Sequence, residues 1–139
     1  MENIEEILIQ LNNLNLQVVQ LCEQGNLESA LNIAKQAVNI ADTLQQEHEI
    51  IADSLNNLAE LYRIQGQYIE AELLYVKTLN MRKSLFGESH PDIAQSLNNL
   101  ASFYYHQGQY TRRAKISRSL KNLESPLRRI TSGNSNSFM

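Results

Sequence analysis

The sequence predicts an all-α fold, a solenoid of about three antiparallel helix hairpins. The first observation is an internal near-repeat: Ser54 to Tyr62 reads SLNNLAELY, and Ser96 to Tyr104 reads SLNNLASFY, 42 residues later. The second is shared punctuation, because Gln65-Gly66-Gln67-Tyr68 recurs as Gln107-Gly108-Gln109-Tyr110 at the same offset. A core pattern and a chain breaker repeated at one spacing mark a duplicated structural unit. The third is how rarely the chain is broken elsewhere: two prolines and five glycines in 139 residues suit helices. A weaker copy lies upstream, where Leu14, Val18 and Leu21 stand 41 residues before Leu55, Ala59 and Tyr62, and Gly25 stands the same distance before Gly66.

Periodicity and breakers set the elements. A first helix is predicted over residues 4–23, with Ile4, Leu8, Leu11, Leu14, Val18 and Leu21 at three- and four-residue steps and Gly25-Asn26 ending it. The second, 27–45, carries Ala30, Leu31, Ala34, Val38, Ala41 and Leu44 on one side, and the small residues allow close approach of the two backbones. The third, 50–64, turns Leu55, Leu58, Ala59 and Tyr62 toward its neighbours and closes at Gly66; the fourth, 67–85, uses Tyr68, Ala71, Leu74, Tyr75 and Leu79. Phe86 to His90 is the longer link, with Pro91 suited to the first turn of a fifth helix and Ser89 or His90 near its cap. That helix is expected to reach His106, with Gly108 as a corner and a sixth helix over 109–123. The repeat domain therefore spans 4–123, in units 4–45, 50–85 and 91–123, and residues 124–139 read as a flexible polar tail.

Repetition serves burial. Each hairpin has two apolar faces, one closing its own helices together and one that must meet the next hairpin. A 42 % hydrophobic fraction supplies such a core. No apolar run approaches the roughly 20 residues that span a bilayer, and the N-terminus MENIEEILIQ is acidic where a signal peptide is basic, so the expected compartment is cytoplasmic, without membrane partners. Cys22 is the sole cysteine and excludes an internal disulfide.

These residues resemble tetratricopeptide repeats, particularly the long kind, of roughly 42 residues, found in kinesin light chains and many bacterial proteins. The similarity is carried by His90-Pro91-Asp92-Ile93-Ala94, Leu97-Asn98-Asn99-Leu100-Ala101, Tyr104, Gln107-Gly108 and Tyr110, and in the preceding unit by Leu58, Ala59, Tyr62, Gly66, Tyr68, Glu70-Ala71-Glu72, Leu74-Tyr75 and Leu79. The resemblance implies a right-handed superhelical solenoid that binds a protein or peptide segment in a concave groove lined by the first helix of each hairpin. Carried onto this sequence, it directs Asp53, Asn56, Glu60 and Arg63 to that groove with Asn57 beside them, then Gln95, Asn98, Ser102 and Tyr105 with Asn99 adjacent, and Asn12, Asn15, Val19 and Cys22 from the opening unit. Amides suit peptide recognition because each both donates and accepts. Family members that grip a C-terminal carboxylate do so with a clamp containing lysine; the corresponding places here, Asn15, Asn56, Asn98, Val19, Glu60 and Ser102, hold none. The last unit departs from the pattern by placing Arg113 where the middle unit has the small Ala71, so that either the helix rotates or a one-residue insertion lets Ala114 take that role, with Ile116, Leu120 and Leu123 still forming an apolar face.

Charge is divided along the chain. Residues 1–50 hold eight acids and one base, Lys35, whereas residues 112–129 hold seven Arg or Lys and one acid, Glu124. Opposite ends allow homo-oligomers through charged ends. Phosphate or nucleic-acid binding by the basic last hairpin is disfavoured by the net charge of −3 and by the lack of a binding motif. His48, His90 and His106 are scattered, Ser54 and Ser96 belong to repeated helix starts, and no HExxH, phosphate loop or nucleophile elbow occurs. The expected protein is not an enzyme and uses no cofactor or metal. Two alternatives to groove binding are a structural subunit that assembles through open solenoid ends and a shortened remnant of a longer repeat protein.

Overall fold

The computed structural model describes the backbone of residues 3–124 and the side chains of residues 3–109. Five helices follow in order: α1 (Ile4–Glu23), α2 (Leu27–Asp42), α3 (Glu49–Ile64), α4 (Tyr68–Phe86) and α5 (Pro91–Glu124). Two compact units result, residues 1–103 and 104–139.

In the first unit α1 pairs with α2 and α3 with α4, and α3 also packs on both helices of the first pair. The two pairs turn by the same device. Gly25 and Gly66 adopt φ of 79° and 82°, and the residue after each donates to a carbonyl five positions back, Asn26 to Leu21 at 2.9 Å and Gln67 to Tyr62 at 2.8 Å. This is the Schellman closure, whose left-handed position a Cβ would strain. Asn3 and Asn26 cap α1 and α2 through side-chain oxygens. A less expected cap begins the later helices: His48 and His90, 42 residues apart, each accept through Nδ1 from the backbone N–H two residues on, at 3.1 Å. Stacking of the His90 ring on Phe86, 4.2 Å between centroids, fixes the second of these.

The core of this unit falls in three clusters. Val18, Ala30, Leu31, Ala34, Leu58 and Leu61 join the first hairpin to α3. Leu11, Ala37, Ala41, Ile51 and Leu55 continue the seam toward the other end. Ala59, Ala71, Tyr75 and Phe103 connect α3 and α4 to the start of α5. Alanines at the crossings, Ala30, Ala59 and Ala71 among them, are fully buried, as close backbone approach requires.

Three expectations are corrected. The second helix ends at Asp42, not near residue 45, because Thr43 Oγ1 donates to Ile40 O at 2.6 Å and Gln45 takes φ 50°. Leu100, expected to be buried as Leu58 is at the same repeat position, is only partly buried. Most importantly, the corner at Gly108 and the separate sixth helix are absent among the described residues: α5 runs through Gly108 without a break, and this glycine lacks the positive φ of Gly25 and Gly66. A glycine inside a helix costs only about 1 kcal/mol relative to alanine, so it ends a helix only where returning packing repays the turn. The third unit has Arg113 at the place of Ala71, which removes the small residue that such packing uses. Consistently, Ala94, Leu97 and Ala101 on α5 are exposed, whereas Ala52, Leu55 and Ala59, 42 residues earlier, are buried.

In the second unit, residues 104–124 continue α5. Tyr105 there is exposed, with its hydroxyl accepting from Gln109 Nε2 at 2.8 Å. The side chains of Ile116, Leu120 and Leu123, expected to form an apolar face, and the polar tail from Ser125 lie outside what is described. Among the described residues no helix is long and apolar enough to cross a membrane.

Candidate protein-binding groove

An open groove of about 260 Å³ runs across the first unit, lined by Asn12, Asn15, Leu16, Val19, Asp53, Asn56, Asn57, Arg82 and Gln95. Helix periodicity explains the convergence. Asn12, Leu16 and Val19 follow a four-then-three step along α1, and Asp53 and Asn56 follow a three-step on the facing side of α3. Because α1 and α3 are the first helices of successive hairpins packed side by side, their stripes form adjacent walls, and Gln95 on α5 extends the line.

The floor is built from polar groups that serve the fold. Asn15 is buried: Nδ2 donates to Ile50 O at 3.2 Å, and Oδ1 accepts from Ser54 Oγ at 2.8 Å. It ties α1 to α3 and has little freedom to hold a ligand. Ser54, also buried, is thereby a structural hydroxyl. Its repeat-mate Ser96 accepts from Arg82 Nη1 at 2.7 Å, and Arg82 Nη2 donates to Asp53 Oδ1 at 2.9 Å. One buried guanidinium therefore links α4 to both α3 and α5. Asp53 remains half exposed. Partial burial raises its carboxyl above the ordinary range; Arg82 pulls the other way, and the negative charges of Glu49 and Asp92 add to the rise.

The remaining sequence-predicted residues divide clearly. Asn56 accepts from Asn99 Nδ2 at 3.2 Å, so the cross-repeat amide pair is Asn56 with Asn99, and Asn98 stands exposed. Asn57 and Gln95 line the groove. Glu60 and Arg63 pair with each other at 2.8 Å and satisfy one another without a ligand. Ser102 is exposed on α5. Tyr105 belongs to the second unit. Cys22 does not line it either; burial pushes its thiol above the ordinary value, with Glu23 adding to the rise, which disfavours a reactive thiolate.

Two groove residues were not anticipated. Leu16, 54 % exposed, supplies an apolar wall beside Val19; its four-residue step from Asn12 was a visible signal. Arg82 carried no signal, because it belongs to the second helix of a hairpin and reaches the groove only through the packing of α4 beneath α3.

A larger crevice of about 500 Å³ lies between α2, α3 and α4, lined by Val38, Leu58, Tyr62, Leu73 and Leu74 with Lys35, Asn39 and Glu70 at its edges. Its walls are largely core side chains of two neighbouring hairpins, and Lys35 already sits over the Tyr62 ring, 5.9 Å from the centroid. It lacks the convergent amides of the groove. Among the described residues no group of three or more His, Cys, Asp or Glu is placed to hold a metal ion.

The family model for the tetratricopeptide repeat matches residues 11–84 and, in an overlapping second placement, residues 50–112. Together these cover most of the chain, and the protein belongs to the tetratricopeptide repeat family. No curated protein matches the chain.

Proposed function

We propose that this protein is a non-enzymatic interaction module that holds an extended peptide or protein segment in the groove between α1, α3 and α5. Tetratricopeptide repeats are generally protein-interaction modules. The observation that carries the reading is the joint lining of one open groove by Asn12, Asn56, Asn57 and Gln95 from three helices, α1, α3 and α5, next to the exposed apolar wall of Leu16 and Val19. Side-chain amides on three helices match the alternating N–H and C=O groups of an extended backbone, and the aliphatic wall accepts a side chain between them.

A linear-peptide display library tests it. Selected peptides should bind the parent and lose binding to Asn56→Ala plus Gln95→Ala while circular dichroism stays unchanged. Equal binding to that variant overturns the reading.

A second reading, assembly through an open end of the solenoid, is favoured by the exposed Ala94, Leu97 and Ala101 on α5. Light scattering separates the two: assembly through this face predicts a mass above the 15.9 kDa monomer, returned to the monomer by Leu97→Glu.

A further inference from the structure

The geometry points to a basic occupant for the groove: an extended segment that places a lysine or arginine at the Asp53 corner and an aliphatic side chain against Leu16 and Val19. This rests on the groove reading above and specifies the partner's chemistry.

Charge carries the argument first. Residues 1–103 contain fourteen Asp and Glu against five Lys and Arg, a net charge of −9 on the unit that bears the groove. A field of that sign draws cationic segments and repels acidic ones before any contact forms.

Local geometry then places the attraction. Asp53 lines the groove and is half exposed, with Oδ1 on Arg82. Glu49, one turn earlier on α3, and Asp92, in the first turn of α5, act on the same carboxylate. Asp53 alone of the three lines the groove, Glu49 and Asp92 are near enough to act on its carboxylate, and its ion-pair partner, Arg82, is buried. Arg82 is occupied by Asp53 and Ser96, so it holds Asp53 in place without offering an exposed cation to an acidic ligand. The other charged pair on α3, Glu60 with Arg63, is internally neutral. On the α1 wall the groove residues are uncharged, and Leu16 and Val19 are about half exposed, which fixes where the aliphatic side chain goes.

The test uses the full chain and three fluorescently labelled, end-blocked peptides of sequence Leu-Ala-X-Ala-Leu, with X as Arg, Gln or Glu, read by fluorescence anisotropy. The Arg peptide should bind most tightly, the Gln peptide about threefold to tenfold more weakly, and the Glu peptide weakest, as expected for one or two partly screened charge pairs. Asp53→Asn and, separately, the exposed Glu49→Gln should each narrow the Arg–Gln gap. The Glu49 variant leaves the Arg82 contacts untouched and keeps the test valid should Asp53→Asn unfold the chain. Equal binding of all three peptides, still abolished by Asn56→Ala plus Gln95→Ala, overturns the basic assignment and leaves the groove reading standing. Binding insensitive to that amide variant overturns the groove reading itself. A self-associated species dissolved by the Arg peptide would give the groove to a second copy of this chain and overturn the assignment to a separate partner.

Discussion

Arg82 Nη2 on α4 meets Asp53 Oδ1 on α3 at 2.9 Å, joining a guanidinium that is 4 % exposed to a carboxylate that is 52 % exposed. The asymmetry decides what each substitution does. Losing Asp53 leaves a buried cation with Ser96 as its remaining partner, whereas the carboxylate is wet enough to stand alone. Asp53→Ala should therefore cost about 1–3 kcal/mol in urea unfolding. A change below a few tenths of a kcal/mol would show that the buried guanidinium does not depend on this contact.

Core packing gives a graded pair. Leu58 is 4 % exposed within the cluster that joins α2 to α3, so Leu58→Ala should remove about 2–5 kcal/mol. Leu100 occupies the same repeat position but is only partly buried, and its alanine variant should cost clearly less. Equal losses in thermal or chemical melts would mean that α5 is covered as α3 is.

Two glycines separate a turn from a helix. Gly66 has φ 82°, and alanine there is strained although no atom lies within 4 Å of a Cβ; Gly66→Ala should destabilise by about 1 kcal/mol. Gly108 sits in helical backbone with the same open surroundings, so Gly108→Ala should stabilise α5 by up to about 1 kcal/mol and raise the helical signal. Destabilisation at both positions would restore the hairpin corner that the repeated sequence suggests.

How far the sequence could be read follows from these residues. The first four helices and their turns were legible because Gly25 and Gly66 terminate apolar periods whose partners lie in the adjacent helix. The same tetrapeptide at Gly108 misled, since a breaker is a local signal whereas the turn depends on distant packing. For the groove, the family resemblance directed Asp53, Asn56 and Gln95 to the inner wall, and all three line the open groove. It could not show that Asn15 is consumed by Ile50 and Ser54, that Asn56 pairs with Asn99 in preference to Asn98, or that Arg82 rises from the layer beneath. Those outcomes depend on which side chains meet across helices, information that periodicity along one helix does not contain.

Tyr75 provides a pH test. Burial pushes its phenol from 10 up to about 12, with the negative charge of Glu60 adding to the rise and Arg63 opposing it. A folded-state pKa raised above the unfolded value means that the native state binds the proton more tightly. The associated stability is complete below pH 10 and is lost as pH climbs toward about 12. Near-ultraviolet titration should show one tyrosine ionising late, together with alkaline unfolding. Tyr75→Phe should abolish the late step, and a late step that survives the substitution would contradict its assignment to this residue.

The most direct measurement of the central claim is a backbone amide shift map of the ¹⁵N-labelled full chain with a peptide selected from the display library. The account predicts that the largest changes fall on Asn12, Leu16, Asp53, Asn56 and Gln95. Changes concentrated instead on Lys35, Tyr62, Glu70 and Leu73, the crevice between α2, α3 and α4, would contradict it.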